Sequence, residues 1–198
     1  MRPRRLFCAT SNPGKIEEFQ QAAPPDLEII PAQPLDCPET GLSFEQNAAQ
    51  KAICYAARLQ DLVFADDSGL EVAALGGAPG LHSARYAGPG ATGQQNNTLL
   101  LENVRRVWSD PGSRPAARFV CVIAVALPDR LLATFRGAAD GVILDGPAGG
   151  GGFGYDPLFY VPALGRTFAQ LTGPEKFAHS HRGQAFRALL EWLRRTTP

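Results

Sequence analysis

The chain has 198 residues, 44% of them apolar, and its 19 basic and 19 acidic side chains give a formal net charge of zero. That length and apolar share allow a substantial core, as one large domain or as two lobes sharing a sheet. The balanced charge leaves no global field to favour nucleic acid, and no apolar run approaches the ~20 residues that span a membrane. Basic runs at Met1–Arg5 and at Arg194-Arg195 read as solvated tails. Only four apolar residues, Leu6 to Ala9, follow Arg5, too few for the core of a signal peptide. The four cysteines are widely spaced, without a Cys-x-x-Cys. Cys8, Cys54 and Cys121 lie in apolar surroundings and read as reduced core residues of a cytoplasmic protein, which argues against thiol or zinc chemistry.

In chain order, Leu6 to Ala9 is a short buried strand, and Thr10-Ser-Asn-Pro-Gly-Lys15 leads from it into a helical pattern with Ile16, Phe19, Gln20 and Ala23 on one face. A strand–loop–helix unit of this kind suits an anion, because helix N–H groups and the positive dipole end face the loop. The P-loop pattern is absent, and a capped helix start with a solvated lysine reads equally from the same residues. Leu27 to Ile30 is a second strand, ended by Pro31. A proline-rich loop then carries Asp36 and Glu39 to Gly41. Ser43 and Gln46 form a capping box for a helix to about Leu59, with Phe44, Ala48, Ala52, Tyr55 and Leu59 buried. Asn47 and Lys51, four apart, share its flank.

Leu62 to Ala65 reads as a buried strand, and Asp66-Asp-Ser-Gly69 as the turn that ends it. Strand ends in α/β proteins are where ligands sit. A carboxylate pair there suits a hard cation such as Mg²⁺, or a base for water; the same residues also read as an Asx-turn. On an extended strand, neighbouring side chains point to opposite faces, so the two carboxylates share one role only if the backbone turns between them.

Thr92 and Gln95 form another capping box, for a helix to Trp108 that buries Leu100, Leu101, Val104, Val107 and Trp108. The break at 109–115 marks either a lobe boundary or an ordinary connection. Phe119 to Leu127, nine apolar residues in a row, reads as a central strand covered on both faces. Leu131 to Phe135 returns as its hairpin partner, and Gly141 to Leu144 and Leu158 to Val161 are further strands. The glycine-rich stretch between the last two carries Phe153 and Tyr155, which suggest a stacking platform for a base. Thr172 with Glu175 caps a short helix past Lys176. Ser180-His-Arg182 reads as an exposed turn before a closing helix with Phe186, Leu189, Leu190 and Leu193 on one stripe. His179 and His181 have no third ligand nearby to support zinc.

Thr10-Ser-Asn-Pro-Gly-Lys15, Glu39-Thr-Gly, Asp66-Asp-Ser-Gly, Gly76-Gly-Ala-Pro-Gly with Ser83-Ala-Arg-Tyr86, Gly152-Phe-Gly-Tyr-Asp-Pro157 and Ser180-His-Arg-Gly183 together resemble the inosine triphosphate pyrophosphatases, also called XTP/dITP diphosphatases. The resemblance covers nearly the whole chain, in order. Ser11 stands where many members have glycine.

The resemblance implies an elongated α/β fold, a long and strongly twisted mixed sheet flanked by helices, with two lobes and the active cleft between them. It also implies a homodimer acting on purine nucleoside triphosphates with Mg²⁺ as cofactor, and neither a nucleic-acid nor a membrane partner. By the same resemblance Thr10, Ser11, Asn12, Pro13, Gly14 and Lys15 bind the triphosphate. Lys51 neutralises phosphate charge, and Ser68 touches the substrate. Glu39, Asp67 and Asp66 form the acidic metal site, with Asp67 as base for the attacking water. Phe153, Gly154, Tyr155, Asp156, Lys176, His181 and Arg182 hold the purine. The products implied are a nucleoside monophosphate and pyrophosphate from ITP, dITP and XTP. Two alternatives are a related pyrophosphatase acting on modified pyrimidine or other triphosphates, and a non-catalytic nucleotide sensor.

Overall fold

The computed structural model describes residues 4–110 and 112–196; Met1 to Pro3 of the basic N-terminal run and Pro111 of the 109–115 break lie outside them. Seven strands form one mixed sheet in the order β2-β1-β3-β4-β5-β6-β7. β1 (Arg4–Ala9) lies parallel to both β2 (Leu27–Pro31) and β3 (Val63–Val72), while β6 (Phe159–Val161) is antiparallel to both β5 (Arg130–Ile143) and β7 (Arg166–Thr167). β4 (Ala116–Leu127) supplies the expected central strand, and every residue from Val120 to Ala126 is fully buried. The α/β class and the mixed sheet match the expectation.

The helices start where the caps place them. α1 (Pro13–Ala22) begins at Asn12, whose side chain accepts from the Gly14 and Lys15 amides. α3 (Gly93–Val107) and α4 (Gly173–His179) carry complete capping boxes at Thr92 with Gln95 and Thr172 with Glu175. α2 (Phe44–Leu59) uses only half of its expected box. Ser43 accepts from the Gln46 amide, but the Gln46 side chain accepts from Leu42 instead of Ser43. α5 (His181–Thr196) buries Phe186, Leu189 and Leu193 as its stripe requires, and leaves Leu190 half-buried. Leu59 is likewise half-buried on α2, and Val107, expected inside, is exposed on α3.

Four expectations need correction. β3 does not turn at Asp66-Asp-Ser-Gly69 but continues to Val72. The Leu70 amide donates to Ser83 Oγ at 2.9 Å, and Gly69 has no side chain to block the close approach of the Gly80 carbonyl, so the polar stretch is accommodated as strand. The two strands expected at 131–135 and 141–144 are one strand, β5; Gly141 within it admits the Tyr160 carbonyl and the Phe159 ring, which a Cβ would strike. Cys54 is not a reduced core thiol: it is half-buried and disulfide-bonded to Cys37, leaving Cys8 and Cys121 as the free, buried cysteines. Ser180, His181 and Arg182 are not an exposed turn but are all buried.

The chain divides into two compact units. The first takes in the described residues of Met1–Asp67, Cys121–Gly137 and Arg182–Pro198; the second takes in those of Ser68–Val120 and Ala138–His181. Phe19, Phe64 and Phe186 cluster in the core of the first, with ring centroids 5.0–6.0 Å apart. Leu70, Leu100, Phe119, Phe159 and Phe168 anchor the core of the second. The 109–115 break falls inside the second unit and joins α3 to β4, so it is a connection. The chain passes between units within β3, β4 and β5 and at the start of α5. No helix among the described residues is long and apolar enough to cross a membrane.

Candidate active site

Because β3 stays extended, Asp66 and Asp67 leave it on opposite sides, as alternation demands. Asp66 is buried to 1% exposure. Its Oδ2 receives Lys15 Nζ at 2.8 Å, lies 3.8 Å from Arg182 Nε, and is 3.9 Å from the buried Cys121 Sγ. Arg182 Nη1 also bonds Glu18 Oε2 at 2.6 Å. Lys51 Nζ donates to the Asp66 carbonyl at 3.2 Å and pairs with Glu39 at 2.5 Å. Burial pushes the Asp66 carboxyl up, but Lys15, Arg182 and Lys51 together outweigh it and hold the group below the ordinary carboxylate range.

Asp67 is in the opposite condition. Burial raises its carboxyl above the ordinary value, against the lowering effects of an Asn47 hydrogen bond and of Lys15 and Lys51. Asn47 Nδ2 donates to Asp67 Oδ2 at 3.1 Å, and Asn47 Oδ1 accepts from the Gly41 amide at 2.8 Å. One strand thus presents a locked, strongly acidic carboxylate next to a more basic one. Environments that push two such groups apart assign their acid–base roles.

Lys15 is not the solvated lysine of a simple cap, and Lys51 is not a surface charge; each side chain is only 14% exposed. Asn12 does cap α1, so the Gly14 and Lys15 amides are engaged within the loop, and Thr10 Oγ1 accepts from the Asn12 amide. Thr10 is buried, Ser11 and Pro13 are exposed, and Asn12 and Gly14 are half-buried. Glu39, Asp66 and Asp67 do not form a three-carboxylate cage. Among the described residues no three His, Cys, Asp or Glu side chains are grouped to hold a metal ion. Glu39 and Asp67 are the less buried carboxylates a metal would take, although Glu39 Oε1 pairs with Lys51 and Asp67 Oδ2 accepts from Asn47; Asp66 Oδ2 is held by Lys15 and its Oδ1 is buried without a hydrogen bond among the described residues. Two carboxylate oxygens fit Mg²⁺, which binds through one or two carboxylates, waters and substrate phosphates and seldom through an all-protein cage.

In the second unit the glycine-rich stretch folds over Asp156. Asp156 Oδ2 accepts from the Phe153 amide at 2.8 Å and from Lys176 Nζ at 2.5 Å, and Lys176 Nζ lies 4.5 Å from the centre of the Phe153 ring. Gly152 sits against the Asp156 carboxylate with φ +67°, a place no side chain would fit. Asn97 on α3 holds the Gly154 carbonyl at 3.0 Å. Phe153 is half-buried. Tyr155 is not part of a platform: it is 4% exposed, packs in the core, and donates to the Ser83 carbonyl at 2.8 Å. Ser68 is half-buried at the first position of this unit. His181 stacks on Phe119, ring centroids 4.6 Å apart and 5° from parallel.

Sequence reasoning left three residues without a role. Glu18 anchors Arg182, Asn47 links the Glu39 loop to Asp67, and Ser83 ties β3 to the turn at Gly80. Two of them carried a signal: Asn47 by its placement four residues before Lys51 on one helix flank, and Ser83 as the first residue of the Ser83-Ala-Arg-Tyr86 motif.

The model of the Ham1 family matches residues 6–192. The chain is 47% identical to a dITP/XTP pyrophosphatase of Thermus thermophilus, covering 96% of this chain and 92% of that protein. It is 46% identical to the Yersinia pseudotuberculosis dITP/XTP pyrophosphatase, covering 96% and 98%. Among solved structures, the Ham1 protein of Staphylococcus aureus superposes with a TM-score of 0.83 at 42% identity, covering 96% and 98% of the two chains. A HAM1 protein from Coxiella burnetii does so at 0.85 and 39%, covering 98% and 100%. A match that begins inside β1 and ends inside α5, with sequence identity and superposition both extending over almost the full length, means that the chain belongs to the Ham1 family.

Proposed function

We propose that the chain is a nucleoside triphosphate pyrophosphohydrolase that converts ITP, dITP and XTP to the monophosphate and pyrophosphate, clearing deaminated purines from the nucleotide pool. The observation that carries this reading is the arrangement around two neighbours on β3: Asp66 is held by Lys15 at 2.8 Å with Arg182 at 3.8 Å, and Asp67 is held by Asn47 at 3.1 Å, with Lys51 between the Asp66 carbonyl and Glu39. It agrees with the dITP/XTP pyrophosphatase activity in the names of the relatives. Asp67 takes a proton from a water as the water oxygen bonds to the α-phosphorus, and the bond from that phosphorus to the bridging oxygen breaks. Lys15 and Lys51 offset the charge that develops on the departing pyrophosphate. Mg²⁺ would be held by Glu39 and Asp67 and would add to that neutralisation.

Base selection belongs to Phe153 and Lys176 in this reading. The ring stacks on the purine, and the ammonium donates to the 6-oxo group, where adenine would offer an opposed amino donor at a cost of about 1–3 kcal/mol. Lys176, His181 and Arg182 are all buried, 4%, 3% and 2% exposed. The enzyme works in the cytoplasm as a homodimer. A panel of triphosphates with separate detection of pyrophosphate and orthophosphate tests the reading. Pyrophosphate and monophosphate in equal amounts, fastest from ITP, dITP and XTP, are expected; orthophosphate with a diphosphate as first products refutes it.

A further inference from the structure

The segment between β2 and α2 has no regular secondary structure, yet it is fastened along α2 in reverse order. The Leu35 amide donates to Tyr55 Oη at 3.0 Å, Cys37 is bonded to Cys54, Glu39 pairs with Lys51, and the Gly41 amide donates to Asn47. The last clasp is close enough that a Cβ on Gly41 would stand 2.6 Å from Gln46 Cβ. The segment is therefore a strap, with a covalent bond toward one end. At the other end Asn47 reaches on to Asp67.

The non-covalent clasps differ in shelter. Leu35 to Tyr55 and Gly41 to Asn47 are part-buried, whereas Pro38, Glu39 and Thr40 between them are exposed, where hydrogen bonds exchange against water with little net gain. Exposed backbone bonds with few apolar contacts belong to the low-stability end of a fold. The disulfide, closing a separation of 17 residues, is the one covalent restraint on the strap among the described residues. Both of its cysteines are half-buried, within reach of a reductant, whereas Cys8 and Cys121 are fully buried.

We propose that Cys37–Cys54 is a redox-modification site that sets the acidic residues of the active site: closed, it holds Glu39 at Lys51 and the strap on Asn47; opened by a dithiol, it releases them. In the opening step a thiolate of the dithiol attacks one sulfur, and its second thiol resolves the mixed disulfide. Two electrons and two protons pass to Cys37 and Cys54, and the dithiol leaves as a disulfide. In a reducing compartment such bonds are usually transient or redox-sensing, which suits an exposed strap. The consequence for metal binding rests on the function proposed above; the release of the strap does not.

The full-length protein is compared after mild oxidation by oxidised glutathione and after anaerobic reduction by dithiothreitol. Thiol counts after denaturation should be two and four, the first pair being Cys8 and Cys121. Hydrogen exchange at the Thr40, Gly41 and Leu42 amides should quicken ~10-fold on reduction while the amides of β4 stay unchanged. Mg²⁺ titrated calorimetrically without nucleotide should bind ~10-fold more weakly to the reduced form. Cys37→Ser should match the reduced form and ignore dithiothreitol. Four free thiols after oxidation, or equal exchange in the two states, overturns the proposal. Faster exchange with unchanged Mg²⁺ affinity overturns the link to Glu39. Faster exchange with no Mg²⁺ binding in either state leaves the redox site standing and removes the metal reading instead.

Discussion

Two adjacent acids on one strand cannot do the same work. Asp66 sits where Lys15 and Arg182 converge, so it organises cations; Asp67, on the other side, is the base of the proposed reaction, and burial holds its carboxyl above the ordinary value. Asp67→Asn keeps the size and the neighbour Asn47 but removes the base, and should lower kcat by ~10²–10⁴-fold with little change in unfolding temperature. Steady-state kinetics at saturating Mg²⁺ check this; near-normal turnover would reduce Asp67 to a structural residue. Arg182→Ala should act differently, because it takes the guanidinium from the half-buried Glu18 and one of two nearby cations from the buried Asp66. Removing one partner of a buried pair costs about 3–5 kcal/mol, so denaturant unfolding should shift markedly. The ratio of kcat/KM for ITP over ATP should stay nearly constant; a shrinking ratio would assign Arg182 to the purine 6-oxo group.

At the scale of elements, the caps decide where site residues stand. α4 is only seven residues long, and its capping box is what starts the turn that carries Lys176 to Asp156. Hydrogen bonds from the Thr172 amide and hydroxyl and from Arg166 bring the Glu175 carboxyl down to about 2. The folded value is lowered, so the stabilisation is fully present above the ordinary value of 4.5 and is lost as pH falls through about 2. An NMR titration should find Glu175 protonating at about 2 in the wild type and at a higher pH in Thr172→Ala. An ordinary value in the wild type would mean that the box is not formed in solution. α2 shows the converse, since its Gln46 side chain is diverted from Ser43 to Leu42 and serves the strap instead of the cap.

For the whole molecule, the disulfide is the one covalent link beyond the backbone among the described residues. Closing a loop of this size removes unfolded-chain entropy worth about 3 kcal/mol. Urea denaturation of the oxidised and reduced forms should differ by that order; identical midpoints would mean the bond adds strain equal to its entropic gain. The chain crosses three times between units inside continuous strands, at β3, β4 and β5. That explains why a composition break at 109–115 marks no boundary. Boundaries placed within strands leave no proline- or glycine-rich trace.

By itself the sequence determined the elements whose signal is local. The apolar run of β4, the capping boxes at Thr92 and Thr172, the stripe of α5 and the order of motifs were all legible, because each depends on residues a few positions apart. So was the rule that Asp66 and Asp67 face different ways on an extended strand; that the strand stays extended there was not. Tertiary structure alone decided what lay on either side of them. β3 runs on through Ser68 and Gly69 because Ser83 and Gly80 meet it from elsewhere in the chain. Tyr155 turns inward to the Ser83 carbonyl, and Cys54 finds Cys37 across a loop. Arg182 is buried because Glu18, 164 residues away, neutralises it. Each of these outcomes depends on a partner distant in sequence, and burial strengthens the interaction only after the fold has brought the pair together.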